Sequence, residues 1–308
     1  KILVTGAAGF VGSHLISKLL SEGNYVTGID NLGLGSINNI SDSLESKNFK
    51  FHQSDILTKD FKKILSKNKF DEVYHLAANS DIRAGSKDNT RDLNLTFLST
   101  FEVIKNLSEL GTKKYFFSSS SAIYGDLGEM KIHENSSPLK PQSFYGAAKL
   151  SSEAFLSAFS HMHDLDICIL RFPNVIGANL THGVVFDFIN KLRSNHQVLE
   201  ILGNGKQKKP YIHISDLLEA IEIVMIQNSK LTVFNVSSPG LTSVNEIADI
   251  VCEEMGLDDV EYQYSGEDIG WKGDVPIYEY DTTKICNIGW SAKMDSNLAV
   301  KRAVKENL

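Results

Sequence analysis

A glycine-punctuated turn between an apolar run and a helical pattern constrains the fold of this chain more than any other feature. Lys1-Ile2-Leu3-Val4-Thr5 is a short β-branched run that stops at Gly6, and Gly6-Ala7-Ala8-Gly9-Phe10-Val11-Gly12 leads into a helical pattern from Ser13 to Ser21. Strand, tight turn and helix N-terminus in that order make a cradle for a diphosphate. The glycines let backbone approach the phosphates, and the helix end offers N–H donors with a partial positive charge. The spacing is GxxGxxG rather than GxGxxG, and glycine turns after strands are common. The motif gains its meaning from its place inside a βαβ pattern.

A second strand, Tyr25 to Ile29, ends at Asp30-Asn31, with Asp30 18 residues beyond Gly12. An acidic side chain at that distance meets the ribose hydroxyls of NAD and repels the 2′-phosphate of NADP; a turn or cap role is the alternative for Asp30. Phe49-Lys50-Phe51-His52 leads to Asp55-Ile56, a strand followed by a carboxylate suitably placed for an adenine. The strand Asp71 to Ala78 ends in Leu76-Ala77-Ala78, small enough for a dinucleotide to lie over the sheet edge or, equally, simply to pack in a core. Asn94 to Leu110 reads as an amphipathic helix. Alternating strands and helices imply a parallel sheet with helices on both faces.

The stretch from Tyr115 to Lys149 carries the chemistry. A buried strand, Lys114-Tyr115-Phe116-Phe117, runs into Ser118 to Ser121, and a polar loop leads to Ser143-Phe144-Tyr145-Gly146-Ala147-Ala148-Lys149. Tyr145 and Lys149 are spaced to share one face of a helix. A tyrosine titrates near pH 10 and is a poor base at neutrality, so a neighbouring ammonium and a bound oxidised nicotinamide are expected to favour its phenolate. A serine hydroxyl at the strand end can hold a substrate alcohol while the tyrosine takes its proton. Tyr280 and Lys284 repeat the Tyr-x-x-x-Lys spacing, so spacing alone does not make a site.

The 308 residues, 42% hydrophobic and 22% charged, are those of a soluble globular chain with room for one large domain or two smaller ones. A formal charge of -7 without an Arg-rich run argues against nucleic acid as a partner. The three cysteines, Cys168, Cys252 and Cys286, suit a reduced compartment rather than a disulfide framework. The nine histidines have no metal-ligand spacing. No apolar run reaches the ~18 residues of a membrane span and no signal peptide is visible, so a cytoplasmic location is expected. The chain starts at Lys1 without Met, which suggests that a residue or more precedes it. The expected architecture is α/β: a Rossmann-type doubly wound parallel sheet over 1–172, with 211–236 returning to it. A smaller α/β substrate-binding cap from 173–210 and 237–308 completes it, with the active site between them.

Taken together, Gly6, Gly9 and Gly12, Asp30-Asn31-Leu32, Asp55-Ile56, His75-Leu76-Ala77-Ala78, Asn94, the serine-rich strand and Tyr145/Lys149 resemble the extended short-chain dehydrogenase/reductase superfamily in order and interval along the whole chain. Within it the chain is similar to the UDP-glucose 4-epimerase branch of small archaeal and bacterial type. That likeness is carried by Arg171-Phe-Pro-Asn-Val-Ile-Gly177, Thr181-His-Gly-Val-Val-Phe-Asp-Phe-Ile189, Leu202-Gly-Asn-Gly-Lys206 and Gly270-Trp-Lys-Gly-Asp-Val-Pro276.

The resemblance implies Ser120, Tyr145 and Lys149 as catalytic residues. It implies an NAD site of Gly6, Gly9, Phe10, Val11, Gly12, Asp30, Asn31, Asp55, Ile56, Leu76, Ala77, Ala78, Asn94 and Ser118, with Tyr145 and Lys149, and no metal. For a UDP-sugar it implies Ser120, Tyr145, Asn174, Val184, Lys209, Asp274 and Tyr278. Lys209 stands where many epimerases have a phosphate-binding arginine; lysine keeps the charge but loses the bidentate fork. Trp271 occupies a second position where some relatives have arginine. Dehydratases of the superfamily carry Thr-Asp-Glu where this chain has Ser120-Ser121-Ala122, which speaks against water elimination, and the missing glutamate speaks against a uronate decarboxylase. Tyr278 matches the position that gates sugar size, a bulky residue there favouring UDP-glucose and UDP-galactose; an ordinary strand aromatic is the alternative. N-acetylhexosamine and uronate sugars remain alternatives, as does a non-catalytic NAD-sensing regulator. A homodimer through the helices Asn94–Leu110 and Phe144–His161 is also implied.

Overall fold

The computed structural model describes residues 1–85, 87–128, 130–266 and 273–308. The chain divides into two compact units, the first made of Lys1–Ile123, Ser143–Arg171 and Val224–Val233, the second of Tyr124–Gln142, Phe172–Ile223 and Phe234–Leu308.

A seven-stranded sheet organises the first unit. Its strands are β1 (Ile2–Thr5), β2 (Val26–Asp30), β3 (Phe49–Gln53), β4 (Glu72–His75), β5 (Lys114–Ser120), β6 (Asp166–Phe172) and β7 (Leu231–Asn235), in the order β7-β6-β5-β4-β1-β2-β3. β1 lies parallel to both β2 and β4, with Thr5 opposite Ile29 on one side and His75 on the other. The strand order reverses beside β1, so the carboxyl ends of β1 and β4 form the switch point where open α/β sheets take ligands. β1 is buried on both faces, which is why it reads as an unbroken apolar run. Leu3, Val73, Tyr115, Phe117 and Ile167 join Phe61, Ile104 and Leu156 in one core cluster.

The helix expected from Asn94 to Leu110 differs in detail. A helical turn at Asn89–Asp92 runs into a π-helical segment, Leu93–Leu98, before a regular α-helix, Ser99–Leu110, which ends at Gly111 with φ +75°. Two hydroxyls accompany the irregularity: Ser99 Oγ donates to the Leu95 carbonyl at 2.7 Å and Thr100 Oγ1 to that of Thr96 at 2.6 Å. Back-bonding of this kind bends helices, and π segments concentrate at functional sites.

The second unit is built from short strand pairs and helices. Asn174–Ile176 pairs in parallel with Tyr211–His213, Val198–Ile201 with Glu261–Tyr264, and Lys131–Ile132 with Glu279–Tyr280. The Val244–Met255 helix opens with a Ser243/Glu246 capping box. Of the segment 211–236, only β7 enters the large sheet; Tyr211–His213 pairs instead with Asn174–Ile176. Among the described residues, no helix is long and apolar enough to cross a membrane.

Candidate active site

The cradle at the switch point follows from three glycines. Gly6 has φ +69°, and a Cβ on it would lie 2.7 Å from the Ala77 nitrogen, so the turn can sit against the end of β4 only as glycine. A Cβ on Gly12 would lie 2.0 Å from the Gly6 carbonyl oxygen. Gly9 caps the Phe10–Ser21 helix with extended backbone and no side-chain bond. The first-turn amides of Phe10, Val11 and Gly12 have no carbonyl earlier in the helix to bond. Free amides at a helix N-terminus can hold an anion.

Asp30 takes the turn role considered for it. Its Oδ2 accepts from the Ala8 amide at 3.0 Å and its Oδ1 from the Leu32 amide at 2.8 Å, tying β2 to the turn. Burial raises its pKa, and the two amides oppose that rise. Asn31 Nδ2 donates to Asp55 Oδ2 at 2.8 Å, and Ile56 is buried beside this pair in sequence. Asn39, which carries no sequence signal, donates to the Ala8 carbonyl at 2.8 Å and braces the same turn.

At the end of β4, His75 is locked between Thr5 Oγ1 at 2.7 Å and Thr100 Oγ1 at 3.0 Å. The Thr100 proton goes to the Thr96 carbonyl, so His75 Nε2 donates and Nδ1 accepts. Burial, with the Lys149 charge adding to it, pushes this imidazole down to about 3 and keeps it neutral. Leu76, Ala77 and Ala78 follow, half-buried. Thr96 accepts from the Asn79 amide at 3.1 Å and so reaches the loop after β4 from the π segment. Asn94, two residues earlier, sits half-buried in the same segment.

Ser120, Tyr145 and Lys149 come together. Ser120 ends β5, and its Oγ accepts from the Ala122 amide at 3.2 Å and hydrogen-bonds to the Tyr145 phenol. Tyr145 lies in the first turn of the helix Phe144–Met162, which Ser143 caps by accepting from the Gly146 amide at 3.1 Å. One turn on, Lys149 is 1% exposed, and its Nζ donates to the Ser118 carbonyl, 4.7 Å from the Phe117 ring centroid and 5.7 Å from that of Tyr145. Ser118 Oγ itself donates to the His75 carbonyl at 3.3 Å. A further turn along, Glu153 holds Arg171 of β6 in a buried bidentate pair at 3.0 and 2.6 Å.

Burial pushes Lys149 down to about 7, against the pull of Glu153. Tyr145 is pushed up to about 12 by burial, with the Asp92 charge adding and the Ser120 bond opposing. The expected lowering of the phenol by Lys149 is therefore not supplied by the protein's own groups. The ammonium is spent on the Ser118 carbonyl and Phe117, and desolvation outweighs what reaches the phenol.

The second unit gathers the other predicted residues. Asn174 hydrogen-bonds to the phenol of Tyr211, which burial and the neighbouring Tyr278 and Asp274 push up. Lys209 forms an ion pair with Asp274. Tyr211, for which the sequence gives no site role, thus links Asn174 to Asp274 and Tyr278. Tyr278 is 5% exposed, with its ring 5.6 Å from Tyr280, itself 5.9 Å from Tyr124. Val184 opens the helix Val184–Ser194 behind Gly183, which has φ +97°. Tyr280 lies in a strand and Lys284 in the short helix Thr283–Cys286, its Nζ over Phe234, so the second Tyr-x-x-x-Lys shares no helix face. Trp271 lies outside the described residues. Among those described, no group of three or more His, Cys, Asp or Glu side chains is arranged to hold a metal.

Residues 2–237 match the model of the NAD dependent epimerase/dehydratase family. A putative UDP-glucose 4-epimerase of Methanocaldococcus jannaschii is 31% identical over 98% of this chain and 97% of its own. Among solved structures, the UDP-glucose 4-epimerase of Thermotoga maritima with UDP-glucose superposes with a TM-score of 0.89 at 29% identity, over 99% of this chain and 97% of that one. The UDP-N-acetylglucosamine 4-epimerase of Methanobrevibacter ruminantium superposes at 0.88 and 27%, with the same coverage. A sheet with its switch point at a glycine cradle, a serine–tyrosine–lysine set at the end of β5 and a family match over most of the chain lead to one conclusion: the chain belongs to the NAD dependent epimerase/dehydratase family, within the extended short-chain dehydrogenases/reductases.

Proposed function

We propose that this enzyme interconverts UDP-glucose and UDP-galactose by epimerisation at C4. The observation that carries the reading is the Ser120–Tyr145–Lys149 set, with Ser121 and Ala122 providing no acid or base for water elimination. The residues of the cradle fit NAD: Gly6 and Gly12 admit backbone where any Cβ would collide, and Asp30 favours unphosphorylated ribose. When bound, NAD supplies a hydride acceptor whose oxidised ring is cationic. Bringing a phenol from about 12 to neutrality takes roughly 7 kcal/mol of differential stabilisation, which that cation would have to supply. Ser120 orients the C4 hydroxyl, and Tyr145 takes its proton on oxidation and returns it on reduction. Lys209, Asn174 and the Val184 helix end hold the diphosphate, which leaves the sugar free to present either face. Asp274 neutralises Lys209, so a diphosphate competes with a carboxylate for the ammonium.

Tyr145→Phe is the test: it retains NAD and loses turnover, and near-full activity in that variant contradicts the reading. The second reading, an N-acetylhexosamine or uronate epimerase, turns on Tyr278. Its burial beside Tyr280 supports a wall closed to larger sugars, and Tyr278→Ser then widens the range of sugars converted. We also infer a homodimer, because Phe155 and Phe144 are exposed on the Phe144–Met162 helix and Phe155 stacks edge-on with Phe97 and Phe101. The three free cysteines suit a reduced, cytoplasmic setting.

A further inference from the structure

Asp92 is a carboxylate with no part so far in the proposed chemistry. It is 1% exposed and ends the helical turn Asn89–Asp92, immediately before the π segment, and both pack against the helix that carries Tyr145. Its Oδ1 accepts from Asn79 Nδ2 at 2.8 Å, whereas Oδ2 is buried and makes no hydrogen bond among the described residues. Space for that second oxygen exists because position 85 is glycine, where a Cβ would lie 2.0 Å from Oδ2.

Asn79 is fully buried and heavily bonded. Its amide donates to Thr96 Oγ1, its Oδ1 accepts from the Asp81 amide and from Arg91 Nε, and its Nδ2 also reaches the Asp81 carbonyl at 2.9 Å. Because Asn79 directly follows Ala77-Ala78, this network holds the loop that leaves β4 at the cradle. An amide in place of Asp92 would hold Asn79 equally well. A buried carboxylate is a costly anchor unless its charge has a use.

We propose that Asp92 is a positioning residue that anchors the loop after β4 through Asn79 and, by its buried negative charge, governs how readily Tyr145 gives up its proton. The charged and titratable groups that face it are Asp81 and Arg91 from its own side and Tyr145 from the packed helix. Burial, together with Asp81, raises the Asp92 carboxyl, and Asn79 and Arg91 pull it back. The charge in turn opposes the phenolate, so the site resists ionisation until a cation enters it.

This inference rests on Tyr145 as the base, and the experiment separates the two. In NAD-loaded protein, phenolate absorbance is followed against pH alongside the acid limb of the epimerisation rate, for wild type, Asp92→Asn and Tyr145→Phe. With Asp92→Asn both curves move to lower pH by about one unit, a roughly tenfold rise in ionised fraction below the midpoint, and KM stays within about twofold. Asp92→Ser, which also removes the charge, moves the same way and carries the test should the amide variant not fold. Unmoved curves in a folded variant overturn the role of Asp92. A titration that persists in Tyr145→Phe overturns Tyr145 as the base and the inference with it.

Discussion

Lys149 is held at a cost that its removal should expose. The side chain is buried and its pKa falls from 10.5 to about 7, mainly by desolvation. At ~1.4 kcal/mol per decade this corresponds to roughly 5 kcal/mol against the charged form in the folded chain. The unfolded chain keeps its proton up to about pH 10.4, so between about pH 7 and that value it binds more protons than the folded one, and stability rises with pH. Below the folded pKa the full cost is present. Lys149→Met fills the same volume without the charge and removes that cost. Against this, the Ser118 carbonyl loses its donor, worth ~1–3 kcal/mol when left buried and unpaired. The net expectation at about pH 6 is a gain of roughly 2–4 kcal/mol, shrinking above neutrality as the folded wild-type lysine gives up its proton while the unfolded chain keeps it. Calorimetry on cofactor-free wild type and variant between about pH 6 and 9 reads the difference as a thermal midpoint raised by several degrees at the acid end. Turnover is lost in the same variant. A variant less stable at the acid end, or a gain that does not shrink with pH, refutes the reasoning that a desolvated ammonium is kept for function at the expense of stability.

Two further outcomes follow from named contacts. Arg171→Ala leaves the Glu153 carboxylate buried without its partner and costs ~3–5 kcal/mol by urea titration, most of which Arg171→Met with Glu153→Gln recovers. Asp30→Asn weakens NAD binding and relieves the repulsion of a 2′-phosphate, so the NADP-to-NAD affinity ratio rises by about tenfold or more in a fluorescence titration.

What could be read from the chain beforehand was local. β1, the Gly6–Gly12 turn and the Tyr145/Lys149 face declare themselves within one or two turns of backbone, because apolar runs, glycine and i,i+4 spacing act over that range. The features that stayed hidden join residues far apart. Asn174–Ile176 becomes a strand only through Tyr211–His213, and Lys209 meets Asp274 across 65 positions. The π segment is accompanied by two back-bonding hydroxyls that an amphipathic pattern does not distinguish from any other polar face. Electrostatics misled the sequence reading in one respect. Spacing places Lys149 beside Tyr145, but only the packing reveals that desolvation depresses the lysine and lifts the phenol. Asn39, Thr96 and Tyr211 act through contacts with no motif behind them.

The most direct test of the central claim is to incubate purified protein with UDP-glucose, adding no NAD, and to follow the anomeric proton signals by NMR. The account predicts UDP-galactose appearing to a fixed ratio, with the cofactor carried by the protein and regenerated in every cycle. No product from UDP-glucose or UDP-galactose, with NAD bound or supplied and another UDP-sugar converted instead, contradicts the proposed substrate. Silence on every UDP-sugar contradicts the reaction itself.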